Sequence, residues 1–228
     1  MNNVALLFAE SVVRLFDFNF SHYSLRESRS GRFGNVGRSL WEKRLYVTLN
    51  VEYNSGAGTF DYCMTCERDY GSFWSETPKT FNPADHRFVS EFKVKLLNDK
   101  RSLKNVDVTW TTATPSDPTF LKLLTAPFAR TELCLYVKCP ELLKMLPDYC
   151  TFNYITAYDY NDVLDAIIQR SQACGRLERV HCTEFFFKRG MEASIEWIAT
   201  NKRLWFLFGY NINNSASVRS VLDTIGVQ

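Results

Sequence analysis

No charge of either sign dominates this 228-residue chain: 27 Lys and Arg stand against 25 Asp and Glu, a formal net charge of +2. Long-range attraction to a phosphate backbone or an anionic bilayer has little to work with, so neither a nucleic-acid nor a membrane partner is expected. The basic cluster RESRSGR at 26–32 mixes charge with Ser and Gly as solvated loops do. No stretch approaches the roughly 20 consecutive apolar residues that cross a bilayer. The opening MNNVALLFAESVVRLF has no basic lead, and Glu10 and Arg14 interrupt it, so it lacks the pattern of a secretory signal. The expectation is a soluble chain of the cytoplasm or nucleus.

Seven cysteines form an odd, irregularly spaced set. That argues against a disulfide framework and for reduced, buried thiols, Cys134, Cys150 and Cys182 among them. Cys63 and Cys66 make a single CxxC; no second CxxC or HxxxH completes a four-ligand zinc site, although His86 is a possible third ligand. On a strand the two thiols point to opposite faces, which suits neither a metal nor a disulfide. Glycine-rich nucleotide loops, HExxH and GxSxG are absent. In CGRLERVHC, Cys174 lies near His181 and Cys182, yet adjacent strand residues diverge and a helix C-terminus disfavours a thiolate. No catalytic residue, cofactor or metal is expected, and the chain reads as a non-enzyme. A thiol-dependent enzyme using Cys174 or the CMTC pair is the alternative from another class.

What is present suffices for a core: 46% of residues are hydrophobic and 15% aromatic, with a charged share of 23% that is ordinary for a globular protein. Val4, Phe8, Val12 and Leu15 recur at helical spacing, and Leu7 and Phe16 widen the stripe, so residues 3–16 read as an amphipathic helix. SGRFGNVGRSLWEKR predicts a second short helix. The period then falls to two: LYVTLNVEY and TFDYCMTCE, joined by the turn NSGAG, predict a hairpin, and HRFVSEFKVKLL and VDVTWTT two further strands. From about residue 115 helices and strands alternate. Asp117 with Pro118, and Pro140 with Pro147, mark starts and a stop, and Gly175 ends a longer helix. Four successive helix-then-strand units fit parallel strands joined by helical crossovers. The expected fold is α+β or α/β: a short N-terminal helical segment (1–44), an antiparallel β-rich middle (45–114), and C-terminal helix-strand repeats (115–228) forming a parallel, irregularly repeating sheet. The last two could form one domain over 45–228.

VALLFAESVVRLF, a polar loop and SGRFGNVGRSLWEKR together resemble a diverged F-box, the helical motif that plugs a receptor into a Skp-cullin ubiquitin ligase. Val4 and Ala5 stand where that motif usually has Leu-Pro, and Phe33 and Val36 where it usually has Trp and an aliphatic residue. The layout of the whole chain is similar to the F-box-like and F-box-associated families of nematodes, whose remainder is β-rich or leucine-rich-repeat-like. Cys174, Leu177, Val180 and Cys182 echo the register of a cysteine-containing leucine-rich repeat. The resemblance implies a protein-interaction module. Val4, Leu7, Phe8, Val12, Phe33 and Val36 would meet a Skp-type adaptor. A protein substrate would be gripped by exposed side chains of the last four strands, such as Tyr136, Tyr154, Tyr158, Arg179 and Phe206. Two alternatives stand beside it: the N-terminal stripe seals the body as core, or the chain is a stand-alone binding domain of that family without ligase function.

Overall fold

In a computed structural model the described residues are 32–67, 78–126, 128, 130–158, 161–182 and 205–206. The helices expected at 3–16, 191–202 and 215–226 lie outside them. Helix α1 (Arg32–Lys43) is the second of the two N-terminal helices expected, and it runs almost directly into strand β1 (Leu45–Asn54). β1 and β2 (Thr59–Glu67) form the expected hairpin. Its turn closes with the Gly58 amide donating to the Asn54 carbonyl at 2.8 Å, and Gly58 takes φ 65°, the left-handed region that glycine enters without a Cβ clash.

Beyond the hairpin the sequence reading needs correction in three places. The strand expected from His86 starts later. Asn82 caps a 3-10 helix over Pro83–Phe88 by accepting from the Ala84 amide, and β4 (Val89–Leu96) follows it. The strand expected at 106–112 narrows to β5 (Thr111–Ala113), which joins β2 on its outer edge near β3 (Lys79–Thr80). Most consequentially, the middle is not all antiparallel. β4 lies parallel to β1 on the side away from β2. β2 ends beside Tyr46 and β4 begins beside Leu45, so the connection from Glu67 to Val89 returns at one end of the sheet, past β1, and strand periodicity is the same in either direction.

After β4 the chain repeats one device. Helix α2 (Pro118–Leu124) precedes β6 (Thr131–Leu135), α3 (Pro140–Met145) precedes β7 (Tyr154–Ala157), and α4 (Asp162–Ala173) precedes β8 (Arg179–Cys182); β9 (Trp205–Phe206) pairs next to β8. Asp117 accepts from the amides of Thr119 and Phe120 to cap α2, and Asn161 accepts from Leu164 to cap α4. α4 ends on Gly175 at φ 71°, where Arg176 N donates to Ser171 O and Gly175 N to Gln172 O, the paired bonds of a Schellman stop.

All these strands belong to one sheet, in the order β3-β2-β1-β4-β6-β7-β8-β9 with β5 on β2. From β1 onward each parallel strand is laid beside the previous one, so successive crossovers fall on the same face. Leu49, Val94, Leu133, Ile155 and Val180 stand in one register row across the sheet. They belong to one core with Phe120 and Leu124 of α2, Leu142 and Leu143 of α3, and Leu164, Ile167 and Ile168 of α4. Phe60 and Tyr62 of the hairpin reach the same layer, with ring centroids 5.4 and 5.0 Å from Phe120. Among the described residues no helix is long and apolar enough to cross a membrane.

Asn153 ties the strand entrances together. Its side chain accepts from the Thr131 amide (3.0 Å) and donates to the Arg176 carbonyl and to Glu178 (both 3.1 Å), while its carbonyl accepts from the amides of Glu178 and Arg179. It is buried, and its hydrogen bonds link β6, β7 and the segment entering β8.

Candidate functional site

Helices cover one face of the parallel sheet, and the side chains of the other face are polar and aromatic. Because successive strand residues alternate sides, SEFKVKL sends Phe92, Val94 and Leu96 to the core and Glu91, Lys93 and Lys95 to the opposite face. Parallel pairing then aligns two rows. One runs Lys93, Glu132, Tyr154, Arg179; the other runs Lys95, Cys134, Thr156, His181. Tyr136 and Tyr158 follow directly after β6 and β7, 40% and 62% exposed, with ring centroids 5.7 Å apart.

The charges on this face are arranged unevenly. Lys93 Nζ stands 2.7 Å from Glu132, and the Cys134 thiol donates to the other oxygen of Glu132 at 2.9 Å. Arg130 bridges two acids, 3.8 Å from Glu91 and 3.3 Å from Glu178, while its guanidinium lies 4.7 Å from the centre of the Tyr154 ring. The Tyr154 hydroxyl donates to Glu178 at 2.7 Å. Burial, reinforced by the neighbouring Glu132 carboxylate, raises the Glu91 pKa above its usual value. Burial works against the charge of Lys93, but Glu132 overrides it and the Lys93 pKa is raised. Burial first, then Glu132, pushes the Cys134 thiol up to about 12. Arg179 also lies 5.6 Å from the centre of the Tyr154 ring and Lys95 5.4 Å from that of Tyr136; neither makes an ion pair among the described residues.

The sequence-derived substrate residues therefore divide. Tyr154, Tyr158, Tyr136 and Arg179 come together on this face. Phe206 pairs in register with Val180 of the core row, and Trp205 is the residue that continues the row of Arg179. Sequence reading passed over Lys93, Lys95, Arg130, Glu132 and Glu178. The alternation in SEFKVKL and TELCL carried a signal for the strand members, but their alignment across strands depends on parallel register.

Of the adaptor-facing residues, Val4, Leu7, Phe8 and Val12 lie outside the described residues, as does the side chain of Phe33. Val36, on α1, is buried. The CMTC pair splits as strand alternation requires: Cys63 pairs in register with Asn50 on the polar face, Cys66 with Val47 on the core face. Both are free thiols, and burial pushes Cys63 up to about 11. Cys174 is exposed at the end of α4, donating to the Ser171 carbonyl. Among the described residues no group of three or more His, Cys, Asp or Glu is placed to hold a metal ion.

No protein-family model, curated protein or solved structure matches the chain.

Proposed function

We propose that this chain is a non-enzymatic protein-interaction module: its polar sheet face binds a protein partner, and its N-terminal segment docks on a Skp-type adaptor of a ubiquitin ligase in the cytoplasm or nucleus. The observation that carries the first half is the set of polar and aromatic side chains on the face of the parallel sheet opposite α2, α3 and α4. There Tyr136, Tyr154, Tyr158 and Arg179 lie across three adjacent strands, and Tyr and Arg are the side chains that most often anchor protein interfaces. The second half rests on the resemblance of residues 4–44 to an F-box. A second reading, a stand-alone binding module, is favoured by the burial of Val36, which leaves that side chain no surface to offer an adaptor.

One experiment separates the two. The full-length chain is passed over an immobilised Skp-type adaptor beside a control F-box protein, together with a Leu7→Glu/Phe8→Glu variant. Retention of the wild type and loss of the variant is the expected result. If the control is retained and the folded wild type is not, the ligase half of the proposal falls and the stand-alone reading stands.

A further inference from the structure

Among the described residues of β4 to β8, the polar face has cations without an acid while its acids are each held by a cation or a donor. Glu132 is held by Lys93 and the Cys134 thiol, Glu91 by Arg130, and Glu178 by Arg130, Asn153 and the Tyr154 hydroxyl. Lys95 and Arg179 instead lie over tyrosine rings, with no carboxylate partner among the described residues. A guanidinium or an ammonium held against a ring by cation–π attraction keeps N–H donors available to an acceptor. Both cations are therefore oriented by the sheet and electrostatically unspent. His181 stands in the row of Lys95, and the exposed pair Tyr136 and Tyr158 lies between the two cations in strand order.

We infer that this face takes an extended acidic segment of a protein partner, laid across the strands with one carboxylate on Lys95 and a second on Arg179. The spacing follows from sheet geometry. Lys95 on β4 and Arg179 on β8 are three strand intervals apart, about 14 Å, and offset by two residues, about 7 Å. The diagonal, about 16 Å, is too long for a single anionic group and equals about five residues of extended chain. Between them the segment would pass Cys134 and Glu132 on β6 and Thr156 and Tyr154 on β7, with Tyr136 and Tyr158 one row further along, beside the Lys95 end. This inference rests on the reading of the face as a partner site and is independent of adaptor docking.

The test uses the full-length chain and two nine-residue peptide libraries, one with Glu fixed at two positions five residues apart, the other with Gln at both. The Glu library is expected to bind, with the retained fraction falling about tenfold in Lys95→Glu and in Arg179→Glu, and not in Lys122→Glu on the helix-covered side. The Lys95→Glu/Arg179→Glu double variant, with an unchanged thermal melt, should instead retain a Lys-fixed library. Equal binding of Glu and Gln libraries would overturn the acidic specificity while leaving a binding face. Binding of neither would overturn the partner-site reading as well. Preferential displacement by a phosphoserine peptide or a single-stranded oligonucleotide would reassign the site to phosphate.

Discussion

Cys134 and Glu91 show how the sheet face alters single groups. A thiol pushed up to about 12 stays protonated at neutral pH and is a poor nucleophile. Brief iodoacetamide treatment at pH 7.5 should therefore modify exposed Cys174 well before Cys63 or Cys134, as read by peptide mass spectrometry. Labelling of Cys174, Cys63 or Cys66 faster than a free model thiol would restore the thiol-enzyme alternative. Glu91 gives a pH dependence. Its raised pKa means that the folded chain binds that proton more tightly than the unfolded chain does. The group thus favours folding below its unfolded value near 4.5, and this contribution is lost as pH rises through the folded value. Glu91→Gln, neutral throughout, should unfold at higher denaturant than wild type at pH 7, with the difference shrinking toward pH 4. A difference that grows on acidification would mean that Glu91 acts as a stabilising ion-pair partner of Arg130 instead. Neither environment was legible in the sequence, because Glu91, Lys93, Arg130 and Glu132 come from β4 and the start of β6 and meet only through parallel register.

At the level of elements, short helices depend on their ends. α2 has seven residues, and Asp117 satisfies two of its free amides. Asp117→Ala should lower stability by about 1 kcal/mol, measured by chemical denaturation, and Asp117→Asn by less, since an amide oxygen still caps. An unchanged midpoint for Asp117→Ala would show that packing of Phe120 and Leu124 holds the helix without its cap. These ends were readable locally. Asp117 with Pro118, Pro140 with Pro147, and Gly175 lie at the boundaries the sequence indicated, because caps and stops act within a turn of the residue that makes them. The strand at 106–112 was not, since only Thr111–Ala113 finds β2 to pair with, and alternation alone does not supply a partner.

Across the whole molecule, the hairpin and the helix-strand repeats share a sheet and a core. Phe60 of β2 and Ile167 of α4 are both members of that cluster. Phe60→Leu and Ile167→Val should each shift the same unfolding transition, the second by about 1 kcal/mol, with fluorescence and circular dichroism moving together. Two separated transitions, each responding to only one substitution, would show that residues 45–114 and 115–228 unfold independently. The sheet also places the polar face. Helical crossovers on one side leave the other side to the charged and aromatic residues.

By itself the sequence determined the periodicities: a hairpin at 45–67, alternating helix and strand after residue 115, the caps, and the opposite facing of Cys63 and Cys66. Each depends on side chains within a few positions of one another. Only the tertiary structure decided that β4 runs parallel to β1, that both segments form a single sheet, and that Lys95, Tyr136, Tyr158 and Arg179 share a face. Strand direction and neighbour order arise from contacts between residues distant in the chain, and one alternating pattern is compatible with either pairing.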